Sequence, residues 1–205
     1  MYRNVRTVAL ALAALFLAAC GSTTFSSTWK APGTTTINPI GKTVAAVFVS
    51  ADESKRRAGE DILAADITKR GATGVAAYTI VPSELRADAD AARAKLKAAG
   101  VNGAVMMRVV GKDQEIYYTP GMATPAGYGG FGPYWGYGWN SVYSPGYLST
   151  DTIISVETLV YSLTDDKLLW ASTSRTTNPG NLDQLIREVA DATANEMAKQ
   201  GLLAK

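Results

Sequence analysis

Thr43-Val44-Ala45-Ala46-Val47-Phe48-Val49 is an uninterrupted β-prone, mostly apolar run after a long polar stretch, the pattern of a strand buried on both faces. Ser50 and Glu53 behind it have capping-box spacing, and 51–70 is rich in helix formers until Gly71, so a helix follows. A second strand is expected at 75–81, where Pro82 ends it. A second helix is expected at 88–99, with Ala92, Leu96 and Ala99 at helical steps and Gly100 behind them. Residues 104–110 give a third strand. The order β-α-β-α-β, joined by right-handed crossovers, lays these strands side by side in parallel with helices on the sheet. After Gly111 the pattern changes. Residues 151–163 and 167–175 are two β-rich runs joined by Thr164-Asp165-Asp166, which predicts an antiparallel hairpin. Asn181 and Gln184 then cap a last helix in which Leu182, Leu185, Ile186, Val189 and Met197 recur at three- and four-residue steps. The expected fold is α/β (α+β): one mixed sheet in the order β-α-β-α-β-(long loop)-β-β-α, helices packed on the sheet, occupying residues 42–205.

The 41 residues before it divide in two. Residues 20–41, rich in Ser, Thr, Gly and Pro with one charge at Lys30, predict a flexible tether. Residues 1–19 have Arg3 and Arg6, an apolar stretch at 8–17 too short to span a bilayer, and small residues before the single cysteine. Leu17-Ala18-Ala19-Cys20 resembles the lipobox of bacterial lipoproteins. That resemblance implies a signal peptide cut before Cys20, a diacylglycerol on its thiol and a further acyl chain, such as palmitate, on its new amino group. Gly21 rather than aspartate in the next position implies sorting to the outer membrane, with the domain facing the periplasm. Three acyl chains hold a protein where one lets it leave, since each buried methylene contributes about 0.8 kcal/mol. The competing reading is an ordinary secretory signal that happens to end in cysteine. No second apolar run approaches the ~20 residues of a membrane span.

Charge and composition then remove function classes. Without Arg3 and Arg6 the chain holds 18 basic against 18 acidic residues, so nothing marks it for nucleic acid. It contains no histidine, and acylation of Cys20 takes its only thiol, which rules out Ser-His-Asp catalysis and thiolate metal sites. Gly127-Tyr128-Gly129-Gly130-Phe131-Gly132 satisfies G-x-G-x-x-G but leads to Pro133 instead of a helix. Gly41-Lys42-Thr43 mimics the end of a phosphate-binding loop but precedes a strand. No cofactor, metal site or catalytic residue is expected. Asp66 and Arg70, four apart on the first helix, are expected to pair with each other rather than to supply a buried acid. The alternative is a histidine-independent periplasmic hydrolase using Ser or Asp/Glu.

From Ile116 to Thr150 there is no charged residue, and seven of the ten tyrosines fall between 117 and 147. A connection as long as 117–148 is uncommon in a compact domain unless it is functional or disordered. Tyr128, Phe131, Tyr134, Trp135, Tyr137, Trp139 and Tyr143 are its candidate binding residues, since aromatics offer contact area with few rotatable bonds. They suit stacking on the sugars of peptidoglycan or lipopolysaccharide, seating at the lipid headgroup level, or binding an envelope protein. The plainer alternative is a low-complexity loop folded back on its own domain.

With Ala58-Gly59-Glu60-Asp61 in the first helix, Gly103-Ala104-Val105 opening a strand and Lys167-Leu168-Leu169-Trp170 in the last, the chain resembles small envelope lipoproteins with an α/β domain. In outline it is similar to the amino-terminal domain of the Tol translocation protein and to the core of the curli-export lipoprotein. The resemblance implies a lipid-anchored, non-enzymatic binding or scaffold protein in envelope assembly or maintenance, with an envelope protein or glycan as partner. It departs from the curli-export protein in lacking clear membrane-inserting hairpins. Oligomeric state is not legible.

Overall fold

The computed structural model describes residues 23–119 and 147–203. One six-stranded mixed sheet is built from β1 (Thr23–Lys30), β2 (Thr43–Val49), β3 (Thr73–Ala76), β4 (Gly103–Thr119), β5 (Tyr147–Ser162) and β6 (Lys167–Thr177), in the order β1-β6-β5-β4-β2-β3. Three helices pack on it: α1 (Glu53–Lys69), α2 (Ala89–Ala98) and α3 (Leu182–Lys199). β2 runs parallel to β3 and β4, while β4, β5, β6 and β1 are successively antiparallel. This is the mixed sheet that the hydrophobic pattern predicts.

The core follows from side-chain period. β2 sends Ala46 and Phe48 to one face, where they meet Leu63 and Ile67 of α1 and Ile186 and Val189 of α3. Its other face carries Ala45, which packs with Ala104 of β4 and Leu96 of α2. A strand covered on both sides reads as a continuous apolar run because neither face can be polar. α1 buries Arg56, Gly59, Glu60, Leu63, Ala64, Asp66 and Ile67, and α3 buries Leu185, Ile186, Val189, Ala190, Thr193 and Met197, each stripe recurring at three and four. Asn181 accepts from the Gln184 backbone amide at 2.8 Å and so caps α3.

Four expectations change. Thr23–Lys30 is an edge strand, not tether: it pairs with β6 from Thr23↔Thr176 to Lys30↔Trp170, and Phe25 meets Trp170 edge-on at 6.2 Å. β3 is only four residues, because the chain turns into a short 3-10 segment at Ala77–Thr79 before Pro82. The cap of α1 is Asp52, which accepts from the amides of Ser54 and Lys55, rather than Ser50. Gly111 does not end β4. It marks a bulge at Val109/Gly111, after which pairing with β5 resumes and continues to Thr119↔Tyr147. An extra residue changes which way later side chains point without ending the strand.

Candidate functional site

The signal segment, Cys20 and Tyr128, Phe131, Tyr134, Trp135, Tyr137, Trp139 and Tyr143 lie outside the described residues. What the structure defines is the platform that carries the aromatic segment. β6 ends at Thr177, which pairs with Ile153, itself opposite Asp113. Beyond that level, apart from the Asn178 amide donating to the Thr152 carbonyl at 2.7 Å, β4 and β5 pair only with each other, over Gln114–Thr119 and Tyr147–Thr152, a two-stranded ribbon projecting ~20 Å at 3.3 Å per residue. Ile116, Tyr117, Tyr147 and Leu148 are exposed there, Ile116 at 70% and Leu148 at 71%.

Register places Ile116 and Leu148 on one face of the ribbon and Tyr117 on the other, so both faces are apolar or aromatic. Charges stop at its base. Glu115 accepts from Arg175 at 2.6 Å and also holds the Tyr117 hydroxyl, while Asp151 accepts from Asn178 at 2.8 Å. These donors hold the Glu115 carboxyl below its ordinary range, Tyr117 first. The result is a charged collar beneath an uncharged projection. β1 begins at Thr23, opposite Thr176 and one register step from this level, so Cys20 lies three residues from the end of the sheet where the ribbon leaves.

A second constellation, which the sequence reading did not single out, sits at the carboxyl ends of β2 and β3, where open α/β sheets take ligands. Glu60, 1% exposed, accepts from the Tyr78 amide at 2.6 Å and from the Arg56 guanidinium at 3.2 Å. Arg56 donates twice more to Glu53, at 2.7 and 2.9 Å, and Glu53 also accepts from Arg57 at 2.8 Å. Burial pushes the Glu60 carboxyl up from its ordinary 4.5, whereas the donors Arg56 and Arg57 pull that of Glu53 down to about 2. Arg57 also lies over the Tyr78 ring at 5.2 Å. The signal for this cluster was the spacing Glu53, Arg56, Glu60, which puts three charges on the face of α1 that turns to the sheet. Both Glu60 oxygens are engaged by the protein itself, so the cluster is a polar staple between α1 and the turn after β3. Asp66 and Arg70 pair as expected at 2.7 Å, and Arg70 extends to Asp191 of α3.

Among the described residues no helix is long and apolar enough to cross a membrane, and no group of three His, Cys, Asp or Glu is placed to hold a metal ion. No family model and no curated protein matches the chain. Solved structures similar to it include the PelC dodecamer from Paraburkholderia phytofirmans, at 12% identity and TM-score 0.41 over 80% of this chain and 89% of that one. Another is the lipoprotein GNA1162 from Neisseria meningitidis, at 14% identity and TM-score 0.40 over 78% of this chain and 99% of that one. Both likenesses are distant and concern the general outline of the fold.

Proposed function

We propose that the protein is a lipid-anchored binding or scaffold lipoprotein of the outer membrane, facing the periplasm, which takes part in envelope assembly or maintenance. It captures an envelope protein or glycan through the aromatic segment between β4 and β5. The observation that supports this most is the projecting ribbon. Exposed Ile116, Tyr117, Tyr147 and Leu148 contribute little to the fold of the domain, and both arms lead directly into the charge-free segment of 120–146. Large apolar side chains kept in solvent next to polar neighbours mark an interaction site. The lipobox, three residues ahead of β1, tethers that end of the sheet to the membrane. The engaged state of Glu60 favours a non-enzymatic role, because a carboxylate fully hydrogen-bonded to its own chain has no free oxygen for a substrate.

Two measurements test this. Cys20→Ser abolishes acylation and releases the protein from outer-membrane fractions; a variant that still resists an alkaline wash rules out the lipid anchor. Crosslinking capture from intact envelopes with Trp135→Ala/Trp139→Ala tests the partner. Loss of a central aromatic anchor costs about 2 kcal/mol or more, on the order of thirtyfold in affinity. Contacts through rings instead of ion pairs resist salt. Unchanged capture by the double variant, or capture abolished by moderate salt, overturns the binding role of the segment.

A further inference from the structure

At the opposite end of the sheet the 31–42 connection from β1 to β2 passes over a cleft of about 680 Å³ between α1 and α3. Its floor is Val44, Val105 and Val160 from three adjacent strands, its walls include Ile67 of α1 and Met197 of α3, and Ile37 of the connection closes over it. The connection is held in place: the Ile37 amide donates to the Leu202 carbonyl at 2.6 Å and the Thr73 amide to the Lys42 carbonyl at 2.8 Å. A cleft of ~300–1,000 Å³ lined mainly by apolar side chains is the usual form of a small-molecule site.

Four charged residues line it, and they are not equivalent. Arg70 is held by Asp66 and Asp191. Asp165 accepts from the Ser162 hydroxyl within the β5–β6 turn. Lys42, exposed at the mouth, has no ion-pair partner among the described residues. Inside, Thr193 is 6% exposed and its hydroxyl has no hydrogen-bond partner among the described residues, an unspent polar group beside Ala190, Ala194 and Met197 of the same wall. A buried hydroxyl left unpaired is costly, and a ligand oxygen would remove that cost.

We propose that this cleft binds a single-chain anionic amphiphile, its alkyl chain lying between α1 and α3 and its anionic head on Lys42. A purely apolar ligand leaves Lys42 unused, and a polar one leaves the valine floor unused; one long chain with one acidic head uses both. The site is separate from the ribbon and independent of the role proposed for it.

The test uses the chain from Gly21 onward, which contains every described element, with cis-parinaric acid as the fluorescent probe. Palmitate and hexadecanol serve as competitors with and without the charge. The expected result is one saturable site from which palmitate displaces the probe. Lys42→Gln, on an exposed side chain that leaves the fold intact, weakens palmitate roughly tenfold, the scale of one charge-assisted hydrogen bond, and leaves hexadecanol unchanged. Ala194→Phe fills the cleft and abolishes binding of both, with circular dichroism confirming that the variant is folded. Non-saturable uptake of the probe overturns the site. Equal palmitate affinity in Lys42→Gln and the parent overturns the assignment of the head. Binding that survives in a folded Ala194→Phe overturns the location.

Discussion

The parallel end of the sheet and the β4–β5 ribbon treat solvent in opposite ways. At the parallel end everything is drawn inward. A Cβ on Gly74 of β3 would sit 2.1 Å from the Ala64 carbonyl oxygen of α1, and one on Gly59 would meet the Phe48 ring at 2.6 Å, so backbone approaches backbone and ring without side chains between. Even two charges on α1, Arg56 and Glu60, are folded into that interface and paired there. On the ribbon, side chains as apolar as Ile116 and Leu148 stand in water with only one neighbouring strand each. Apolar burial contributes roughly 25 cal/mol per Å², and the ribbon forgoes it. One region is shaped by what stabilises the domain, and the other is kept for contact with something beyond it.

The sharpest way to break that contrast is to disturb the close approach at Gly74. Gly74→Val places a branched side chain against the α1 backbone, which has no rotamer to yield, and forces α1 off the sheet. The expected loss is about 3 kcal/mol, at the upper end of overpacking effects. In a domain of this size that lowers Tm by ~10 °C, measured by thermal and urea unfolding. An unchanged midpoint would show that α1 does not seat on β3 as described.

The converse operation removes the outward-facing segment. Thr119 and Tyr147 are direct partners, so an Asn-Gly pair joining them closes a two-residue hairpin in register with β4 and β5. A join from Tyr118 to Ser149 would miss that register, because Tyr118 pairs with Leu148 and Ser149 with Tyr117. Replacing 27 residues by two shortens the loop by nearly four halvings, and at ~0.6 kcal/mol per halving the stability is expected to rise by up to about 2 kcal/mol. Cooperative unfolding that is lost in this variant would place the aromatics in the core and dissolve the contrast between the two regions.

How far the sequence carries this picture depends on whether local pattern or distant pairing decides each element. β2, α1, α3 and the Asp165-Asp166 turn were legible because apolar period, helix-former content, the Asn181 cap and turn chemistry are local, even though α1 takes Asp52 and not Ser50 as its cap; Asp166 takes φ 54°, as such a turn requires. The Asp66–Arg70 pair was legible from i,i+4 spacing. β1 was not. Thr-Thr-Phe-Ser-Ser-Thr-Trp-Lys is polar enough to read as linker, and only β6, some 140 residues on, makes it a strand: Thr23 bonds the Thr176 hydroxyl at 2.7 Å. The outer half of β4 was hidden by the bulge, which breaks the period-two pattern at Gly111. Of the candidate site, composition located the aromatic segment but not the ribbon that projects it, and charged residues on α1 concealed a buried staple because buried charge reads as surface.

That staple gives the smallest of the expected effects and bears on the inward-facing region alone. Glu60 has its carboxyl raised above 4.5 by burial, so between 4.5 and its folded value the folded chain binds a proton that the unfolded chain has released. Its contribution is therefore fully present below pH 4.5 and is lost as pH rises through the folded value. Glu53 has the opposite sign. With its folded value near 2, its contribution falls as pH drops from 4.5 toward 2 and is complete above 4.5. The two windows meet at 4.5 and do not overlap, which makes them separable in one titration. Glu60→Gln keeps an acceptor oxygen for the Tyr78 amide and removes the ionisation; its amide NH2 also replaces the oxygen that accepts from Arg56, a cost that does not change with pH. Urea midpoints of parent and variant, followed from pH 3 to neutrality, are expected to differ by an amount that moves in the variant's favour above pH 4.5, while the acid limb set by Glu53 stays common to both. A difference that is flat above 4.5, or that moves toward the parent, would mean that Arg56 and the backbone donors outweigh burial and that the interior of this interface favours the carboxylate.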